Sequence, residues 1–344
     1  MSTIEDVAKA SGVSKGTVSS VFSKKRPISK EVSERVLAAA KELNYKPNYW
    51  ARSLANKSTK ILGLNIPGEQ FKFSQFHLSL MNGVLGVCYR HGYRLLVNSL
   101  PPSYLSQVEH WVSDPVDGEI MLDPENEDPR IMERIHGQVP IVLVGRPSSQ
   151  YESKVSYVDN DNVGMTEQIT RYLLELGHRN LLFLNAPKHR TVAGDRELGF
   201  RSACREAGIP ETHQQIVFKP DIYRPSNEFG YETTMKALQE MPEITAVIAD
   251  TDTMALGVYK AAEHLGMTIP DQLSVYAFSD DSTYSPEFTP PLTGVRLHAE
   301  QLGREAAVIL LEQLSKETKT VKRAIVPTEM VIRSSCTQRK TFMK

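Results

Sequence analysis

Residues 3–22 read TIEDVAKASGVSKGTVSSVF, and this stretch decides the fold of the N-terminal region. Its first four residues have the form of a capping box, in which Thr3 covers free backbone N–H groups and an acid stands at the third helical position. A short first helix is therefore expected to run to about Ala10. Gly12 then stands where a tight turn needs a positive φ, which glycine adopts at low cost. The stretch predicts two short helices joined by a turn.

The second helix is predicted to start at Ser14 and to present a polar, basic surface. Its inner positions are Thr17, Val18, Val21 and Phe22, and its outer positions are Lys15, Gly16, Ser19 and Ser20. A third helix, capped at Ser29, is expected to close a three-helix core with Val32, Val36, Leu37, Ala40 and Leu43. The pattern predicts a helix-turn-helix domain with an exposed recognition helix, although periodicity alone fits a generic helical bundle equally well.

Charge is distributed unevenly along the 344 residues, whose formal net charge is −1. The first 60 residues contain 12 Lys and Arg against 5 Asp and Glu, a net charge of +7, which leaves −8 on the remainder. Neutralisation of phosphates by Lys and Arg dominates nucleic-acid affinity. We therefore expect the basic N-terminal region, and not the acidic body, to meet DNA.

The composition, 40% hydrophobic and 24% charged, is typical of a soluble globular protein, and no apolar run is long enough to span a bilayer. The N-terminus lacks the pattern of a secretory signal, and the three cysteines are scattered, so a cytoplasmic location is expected. The sequence contains no Gly-rich phosphate loop, nucleophile elbow or metal-ligand cluster. We expect no enzyme activity, no catalytic residue, no metal and no cofactor.

From Lys60 onward, short β-branched or Leu-rich runs alternate with amphipathic segments of helical length, a pattern typical of parallel α/β architecture. Strands are predicted at residues 61–66, 94–99, 118–122, 141–145, 180–184, 246–249 and 273–278. Helices are predicted between them, for example at residues 75–91, 162–176, 195–207, 228–241 and 252–265. Two units of similar size, divided near residue 159, predict two open sheets with a ligand cleft between the carboxyl ends of their strands.

Ten short motifs along the chain carry a resemblance to a known family. In the N-terminal region they are residues 4–8 (IEDVA), 10–14 (ASGVS), 17–19 (TVS), 43–48 (LNYKPN) and 51–54 (ARSL). In the body they are residues 116–118 (VDG), 158–160 (VDN), 176–179 (LGHR), 252–257 (DTMALG) and 289–293 (TPPLT). With these motifs the chain resembles the lactose-repressor/galactose-repressor (LacI/GalR) family over about residues 3 to 335. The resemblance implies a dimerising α/β domain similar to periplasmic sugar-binding proteins.

For the DNA-binding region, the resemblance implies a hinge helix at residues 49–56 that orders on operator DNA and pushes Leu54 between base steps from the minor groove. It places base reading on Lys15, Gly16 and Ser20. The family often has Arg where Ser20 stands, and Ser cannot make the bidentate pairing of Arg with guanine, so Lys15 is expected to carry more of the specificity. The predicted DNA-binding residues are Thr3, Ser14, Lys15, Gly16, Thr17, Ser19, Ser20, Asn48, Arg52 and Leu54.

For the cleft, the resemblance implies that Arg196 forks onto ligand hydroxyls, since its planar donors suit paired oxygens. An acidic counterpart is expected among Ser279, Asp280 and Asp281. This segment is one residue longer than the usual spacing in the family, so the register stays open, and we favour Asp280.

Other residues of the body have expected places around the cleft. Phe71 and Phe73 fit the cleft or the core equally well. Asp252 is expected to be a helix N-cap and His178 a structural turn residue. The predicted effector-binding residues besides Arg196 and Asp280 are Phe76, His77, Asn98, Arg146 and Thr251.

These patterns predict four regions along the chain. They are a helix-turn-helix domain at residues 1–47, a hinge helix and linker at 48–59, an effector-binding and dimerisation domain at 60–335, and a tail at 336–344 without a heptad pattern. Within the third region, about 60–158 plus 292–322 are expected to form one subdomain, and about 159–291 plus 323–335 the other.

We predict a transcription repressor of a carbohydrate-utilisation operon that binds a pseudo-palindromic operator duplex as a homodimer and is released by a sugar inducer. The alternatives are the same fold responding to a purine or nucleoside, or a regulator that depends on a corepressor or a protein partner.

Overall fold

A computed structural model describes residues 2–23, 26–47, 53, 58–66, 73–98, 115–220, 224–278, 284–315 and 320–339. The chain divides into two compact units, residues 1–60 and residues 61–344. The division falls at the end of the predicted linker, where the sequence changes from basic helical segments to the first β-branched run.

The described residues of the first unit form helices α1 (Ile4–Ser11), α2 (Lys15–Ser23) and α3 (Lys30–Glu42). The predicted caps are present, because Thr3 Oγ1 accepts the N–H of Asp6 at 3.3 Å and Ser29 Oγ accepts the N–H of Val32 at 3.4 Å. Gly12 ends α1 with φ of 66°. Local capping chemistry therefore fixes the starts and stops that the sequence predicts.

The core of the first unit is small and centres on Val7, Val18 and Val36, all fully buried. The guanidinium of Arg35 donates from Nε to the carbonyl of Ser11 at 2.9 Å and ties α3 to the last residue of α1. The prediction that Leu37 lies in this core is wrong, since its side chain is 50% exposed. In so small a domain α3 buries only a narrow stripe of its surface.

The described residues of the second unit form twelve strands. They are β1 (Ile61–Asn65), β2 (Arg94–Asn98), β3 (Gly118–Leu122), β4 (Ile141–Val144), β5 (Ser156–Asp159), β6 (Leu181–Asn185), β7 (Gln214–Phe218), β8 (Ala246–Ala249), β9 (Ser274–Ala277), β10 (Thr293–Arg296), β11 (Arg323–Ile325) and β12 (Glu329–Val331). They form two six-stranded sheets, ordered β11-β5-β4-β3-β1-β2 and β12-β10-β9-β8-β6-β7. The pairs are parallel except β10 with β12.

In the part of the unit that the structure describes, seven α-helices cover the faces of these sheets. They are α4 (Gln75–His91), α5 (Pro129–His136), α6 (Asn162–Glu175), α7 (Thr191–Glu206), α8 (Ser226–Glu240), α9 (Asp252–His264) and α10 (Ala299–Leu314). Helices α4 and α10 pack on one face of the first sheet, around the fully buried Leu80 and Leu310. On the second sheet, α6 and α7 cover one face and α8 and α9 the other. Helix α7 begins four residues before its predicted start at residue 195.

Glycines let paired helices approach closely. A Cβ on Gly83 of α4 would lie 2.0 Å from the carbonyl oxygen of Glu300, and one on Gly303 of α10 would lie 2.0 Å from that of Leu80. Because both clashes are with backbone, a side chain at either position would push α4 and α10 apart. The α4 and α10 pair therefore depends on two glycines that face each other.

The chain crosses between the two halves at three points, after β5, after β10 and after β11. The predicted subdomain boundaries placed residues 292–322 in the first half and 323–335 in the second. The pairing corrects both, because β10 joins the second sheet and β11 the first. The carboxyl ends of the parallel strands lie at the cleft between the two halves. The chain therefore passes from one half to the other only at the end of a strand.

Candidate functional site

The recognition helix α2 begins with an exposed polar surface. Ser14 Oγ accepts the N–H of Thr17 at 3.1 Å and thereby caps the helix. Lys15, Gly16 and Ser19 are exposed, whereas Val18 on the opposite side is fully buried in the three-helix core. The predicted inside and outside faces of α2 are therefore present, with small side chains where close approach to a DNA groove would need them.

Two side chains predicted to read bases have partners within the protein. Lys15 Nζ lies 2.9 Å from Glu5 Oε2, and both side chains are more than half exposed, so water and salt screen this pair. The hydroxyl of Ser20 donates to the carbonyl of Gly16 at 2.7 Å. Thr3 is exposed at the start of α1. The predicted contacts Asn48, Arg52 and Leu54 lie outside the described residues.

A cleft of about 490 Å³ opens between the two sheets of the second unit. Residues at the carboxyl ends of parallel strands line it, among them the carboxylates Asp123 directly after β3, Asp159 at the end of β5 and Asp250 directly after β8, and Asp252 of α9 also lines it. Aromatic side chains of Phe73, Phe76 and Phe278 add apolar surface. The cleft therefore offers both charged hydrogen-bonding groups and apolar faces to a small ligand.

Arg196 of α7 is held at the centre of one wall. Its terminal nitrogen Nη1 donates to a carboxylate oxygen of Asp250, and its Nε donates to Asn162 Oδ1 at 3.2 Å. The guanidinium carbon lies 3.9 Å from the centre of the Phe278 ring. Burial raises the pKa of Asp250, while the positive charges of Arg196 and Lys219 oppose the rise. The arginine is thus stacked on one side and oriented by two polar partners.

Asp159 stands where β5 enters the cleft, and its carboxylate accepts three hydrogen bonds. The donors are the backbone N–H groups of Arg146 (2.9 Å) and Asn160 (2.8 Å) and the side-chain amide of Asn162 (3.1 Å). Burial raises the pKa of Asp159 to about 6, although both backbone donors favour the charged form. A carboxyl group that changes charge near neutral pH therefore lies at a crossing point between the two halves.

On the opposite wall, Asp123 faces His77 of α4, with Oδ2 and Nε2 3.7 Å apart. The ring of His77 is oriented by the backbone N–H of Ser74, which donates to Nδ1 at 3.2 Å. Burial opposes ionisation of Asp123, but the hydrogen bond and charge of His77 and the charges of Arg190 and Arg130 lower its pKa to about 2. Asp123 is therefore a firmly charged group of the first half.

Main-chain contacts join the two halves along one side of the cleft. The N–H of Asn126 donates to the carbonyl of His189 at 2.9 Å, and the N–H of Thr191 donates to that of Pro124 at 3.2 Å. Between these bonds, Glu125 and Arg190 form an antiparallel bridge. The Arg190 guanidinium also donates to the carbonyl oxygen of Asp123. These contacts hold the two halves together beside the ligand space.

The structure brings part of the predicted effector set together. Phe76, His77, Arg196 and Thr251 line the cleft, as does Phe73. Thr251 is also the N-cap of α9, where its Oγ1 accepts the N–H of Met254 at 3.1 Å, so the expectation that Asp252 is the cap is wrong. Asp252 is instead the first residue of the helix.

Two predicted lining residues are not brought to the cleft. Asn98 ends β2, where its carbonyl accepts the N–H of Ile66 at 2.9 Å. The Arg146 side chain is 47% exposed and points to Glu152, with Nε and Oε1 3.4 Å apart. Arg146 contributes to the cleft only through its backbone N–H, which donates to the carboxylate of Asp159. Phe71, Ser279, Asp280 and Asp281 lie outside the described residues.

Sequence reasoning missed the polar residues that organise the cleft, namely Asp123, Asp159, Asn162, Arg190 and Asp250. A signal for two of them was available, because Asp123 and Asp250 directly follow the strands predicted at residues 118–122 and 246–249. Strand β5, which ends at Asp159, was not predicted. Asn162 and Arg190 gave no comparable signal. His178 is structural as expected, buried between Thr245 (Nδ1 to Oγ1, 2.9 Å) and the carbonyl of Thr337 (3.1 Å from Nε2).

Comparison with known proteins assigns both units. Residues 3–48 match the bacterial regulatory proteins of the lacI family, and residues 170–336 match a periplasmic binding protein-like domain. The transcriptional regulator CelR of Thermobifida fusca is 30% identical over 345 residues, which cover 97% of this chain and 98% of CelR. The chain belongs to the lacI family. Members of this family are DNA-binding transcriptional regulators and not enzymes.

Further comparisons agree with this lacI-family assignment. The transcriptional repressor PurR of Erwinia tasmaniensis is 32% identical over 347 residues, 97% of each chain. The structure is similar to that of a CelR–cellobiose complex, with a TM-score of 0.73, 28% identity and coverage of 97% of this chain and 100% of that one. The fold is also that of a lac repressor dimer bound to operator and the anti-inducer ONPF (TM-score 0.83, 24% identity, 98% and 99% covered).

Two kinds of feature are absent from the described residues of this lacI-family chain. None of the described helices combines the length and the apolar character needed to cross a membrane. Within the same residues, no three or more His, Cys, Asp and Glu side chains are grouped so that they could hold a metal ion.

Proposed function

We propose that this lacI-family regulator acts in the cytoplasm as a repressor of a carbohydrate-utilisation operon, and that a neutral sugar bound in the cleft releases it from operator DNA. The observation that carries the proposal is Arg196, whose guanidinium is stacked on Phe278 and anchored by Asp250. A sugar presents hydroxyl oxygens to such a fork and C–H surface to such a ring.

The charges of the cleft favour a neutral ligand. Arg196 is paired with Asp250, and Asp123 lies within the reach of the positive charges of Arg190 and Arg130. A ligand with a net charge would meet side chains whose charges are already balanced by neighbouring residues, and it would have to displace one of those neighbours. The CelR–cellobiose complex, which is similar to 97% of this chain, supports a sugar as the ligand class.

DNA binding is proposed to use two copies of the exposed start of α2 on a pseudo-palindromic operator. One short recognition helix reads only a few base pairs, so a dimer supplies the second half-site. The lac repressor fold match is to a dimer on operator DNA, which supports this arrangement.

The test is a ligand screen followed by operator binding. Thermal unfolding of the full chain with cellobiose, other disaccharides, monosaccharides, nucleosides and purine bases identifies a ligand, because binding to the folded state raises its melting temperature. Operator selected from random duplexes is then titrated with and without that ligand. A sugar that raises the melting temperature and weakens operator binding supports the proposal. A nucleoside response, or operator affinity that rises with ligand, contradicts it.

A further inference from the structure

A continuous series of hydrogen bonds leads from Arg196 to the crossing point after β5. Arg196 Nε donates to Asn162 Oδ1 at 3.2 Å, and Asn162 Nδ2 donates to Asp159 Oδ1 at 3.1 Å. Asn162 is the first residue of α6, and only 5% of its surface is exposed. Its amide therefore connects a ligand-facing arginine with a carboxylate at the base of the cleft.

The chemistry of the two neighbours fixes the orientation of this amide. A guanidinium only donates hydrogen bonds, and a carboxylate only accepts them when charged. The oxygen of Asn162 must therefore face Arg196, and its nitrogen must face Asp159. A carboxylate at position 162 lacks the donor, and an aliphatic side chain lacks both functions, so the connection requires an amide.

Beyond Asp159, the hydrogen bonds reach all three crossing segments, in which the chain passes between the two halves after β5, after β10 and after β11. The same oxygen of Asp159 accepts the backbone N–H of Asn160 at 2.8 Å. The side-chain amide of Asn160 donates to the carbonyl of Leu297, after β10, at 3.1 Å and to that of Val326, after β11, at 2.9 Å. Any movement of Asp159 thus acts on the residue that holds the three segments together.

We propose that Asn162 is the positioning residue that couples occupancy of Arg196 by a ligand to the arrangement of the three crossing segments. A ligand oxygen that draws the guanidinium of Arg196 toward the cleft alters its Nε hydrogen bond to Asn162. The side-chain amide of Asn162 must then move as well, because its oxygen is bonded to Arg196 and its nitrogen to Asp159. Asp159 and Asn160 then shift together, and with them the relation between the two halves. This inference rests on the proposed function, since it concerns how a bound ligand is sensed.

The test compares Asn162→Ala with Thr170→Ala in the full chain. Thr170 lies two turns further along α6, is fully buried and donates to the carbonyl of Thr166 at 2.7 Å, so it controls for damage to the helix. Operator affinity is measured with and without saturating cellobiose. The ratio of the two affinities is expected to fall about tenfold in Asn162→Ala and to stay near that of the wild type in Thr170→Ala.

A second measurement needs no ligand. Loss of the Asn162 donor removes a hydrogen bond to the charged form of Asp159, so the pH at which Asp159 titrates should rise in Asn162→Ala and not in Thr170→Ala. The neighbouring charges, Asp195 and Arg196, are unchanged in both variants. If cellobiose has no effect on the wild type, cellobiose is not the ligand, and this pH measurement decides the inference. Equal behaviour of the two variants in the pH measurement overturns it, as does an unaltered affinity ratio in Asn162→Ala.

Discussion

Lys15, at the exposed start of the recognition helix, forms an ion pair with Glu5 of the preceding helix, with Nζ and Oε2 2.9 Å apart. The hydrogen bond and charge of Lys15 lower the pKa of Glu5, so the acid is charged at neutral pH. A negative charge therefore stands beside Lys15, the side chain expected to carry more of the base specificity because Ser20 stands where the family often has Arg.

Glu5→Gln is expected to tighten binding to any DNA sequence by about three- to tenfold at low salt, because it removes repulsion from phosphates and releases Lys15. Fluorescence anisotropy on operator and on unrelated duplex measures the effect. Glu34→Gln is the charge-matched control, since Glu34 pairs with Lys30 on α3 at 3.9 Å. Equal gains in the two variants would assign the effect to net charge and not to the Lys15 pair.

Arg196→Met is expected to weaken ligand binding about 10- to 100-fold, because the side chain keeps its contact with Phe278 but loses its charged donors. Isothermal titration calorimetry with the sugar found by screening measures this loss. Arg201→Met is the control, as Arg201 lies on the same helix and pairs with Glu197 at 2.8 Å. An unchanged affinity in Arg196→Met would remove this residue from the site.

The stability of the second unit should depend on pH through Asp159. Its pKa is about 6 when folded and 3.8 when unfolded, so the folded form keeps its proton to higher pH. The free energy of unfolding should therefore fall by roughly 3 kcal/mol as the pH rises from below 4 to above 6.

Asp159→Asn should lack this contribution, and urea titrations from pH 4.5 to 7.5 compare the two proteins. Asp161→Asn is the control, because Asp161 is exposed and its oxygen caps α6 through the N–H of Gly164 at 3.0 Å. Parallel stability curves for wild type and Asp159→Asn would show that Asp159 does not titrate in this range.

Two alanine substitutions in α4 should have opposite signs. Gly83→Ala places a Cβ 2.0 Å from the Glu300 carbonyl oxygen and should destabilise the protein by about 1–3 kcal/mol. For Gly86, the nearest neighbour of an added Cβ is the end of the Arg90 side chain at 3.8 Å, so Gly86→Ala should stabilise the helix by about 0.5–1 kcal/mol. Urea midpoints measure both, and a neutral Gly83→Ala would show that α4 and α10 can move apart freely.

Local signals in the sequence were sufficient to predict the helix-turn-helix. Thr3, Gly12 and Ser29 act on backbone groups within three or four residues, so their effect is readable without the rest of the fold. The seven predicted strands were also found, because each contains a run of apolar residues, although β2 is largely exposed. Leu37 was misplaced because helical spacing does not reveal how wide a face the neighbouring helices cover.

The cleft depends on contacts that the sequence does not display. Arg196 and Asp250 are 54 positions apart, and Asn160 reaches carbonyl groups more than 130 positions away. The short strands β10 and β11 are assigned to a sheet only by their pairing with β9 and β5. The sequence does not show this pairing, which explains the misplaced subdomain boundaries. Asp123 and Asp250 could have been predicted, because each follows a predicted strand and ligand sites of open α/β sheets lie at the carboxyl ends of strands.

The contacts of residues 124–126 with residues 189–191 are made largely by backbone atoms, whereas the ligand meets side chains such as Arg196. Main-chain hydrogen bonds do not depend on side-chain identity and are kept through most substitutions. Mutation can therefore alter which ligand is recognised while these contacts between the two halves persist. This separation makes the scaffold permissive to evolutionary change of ligand.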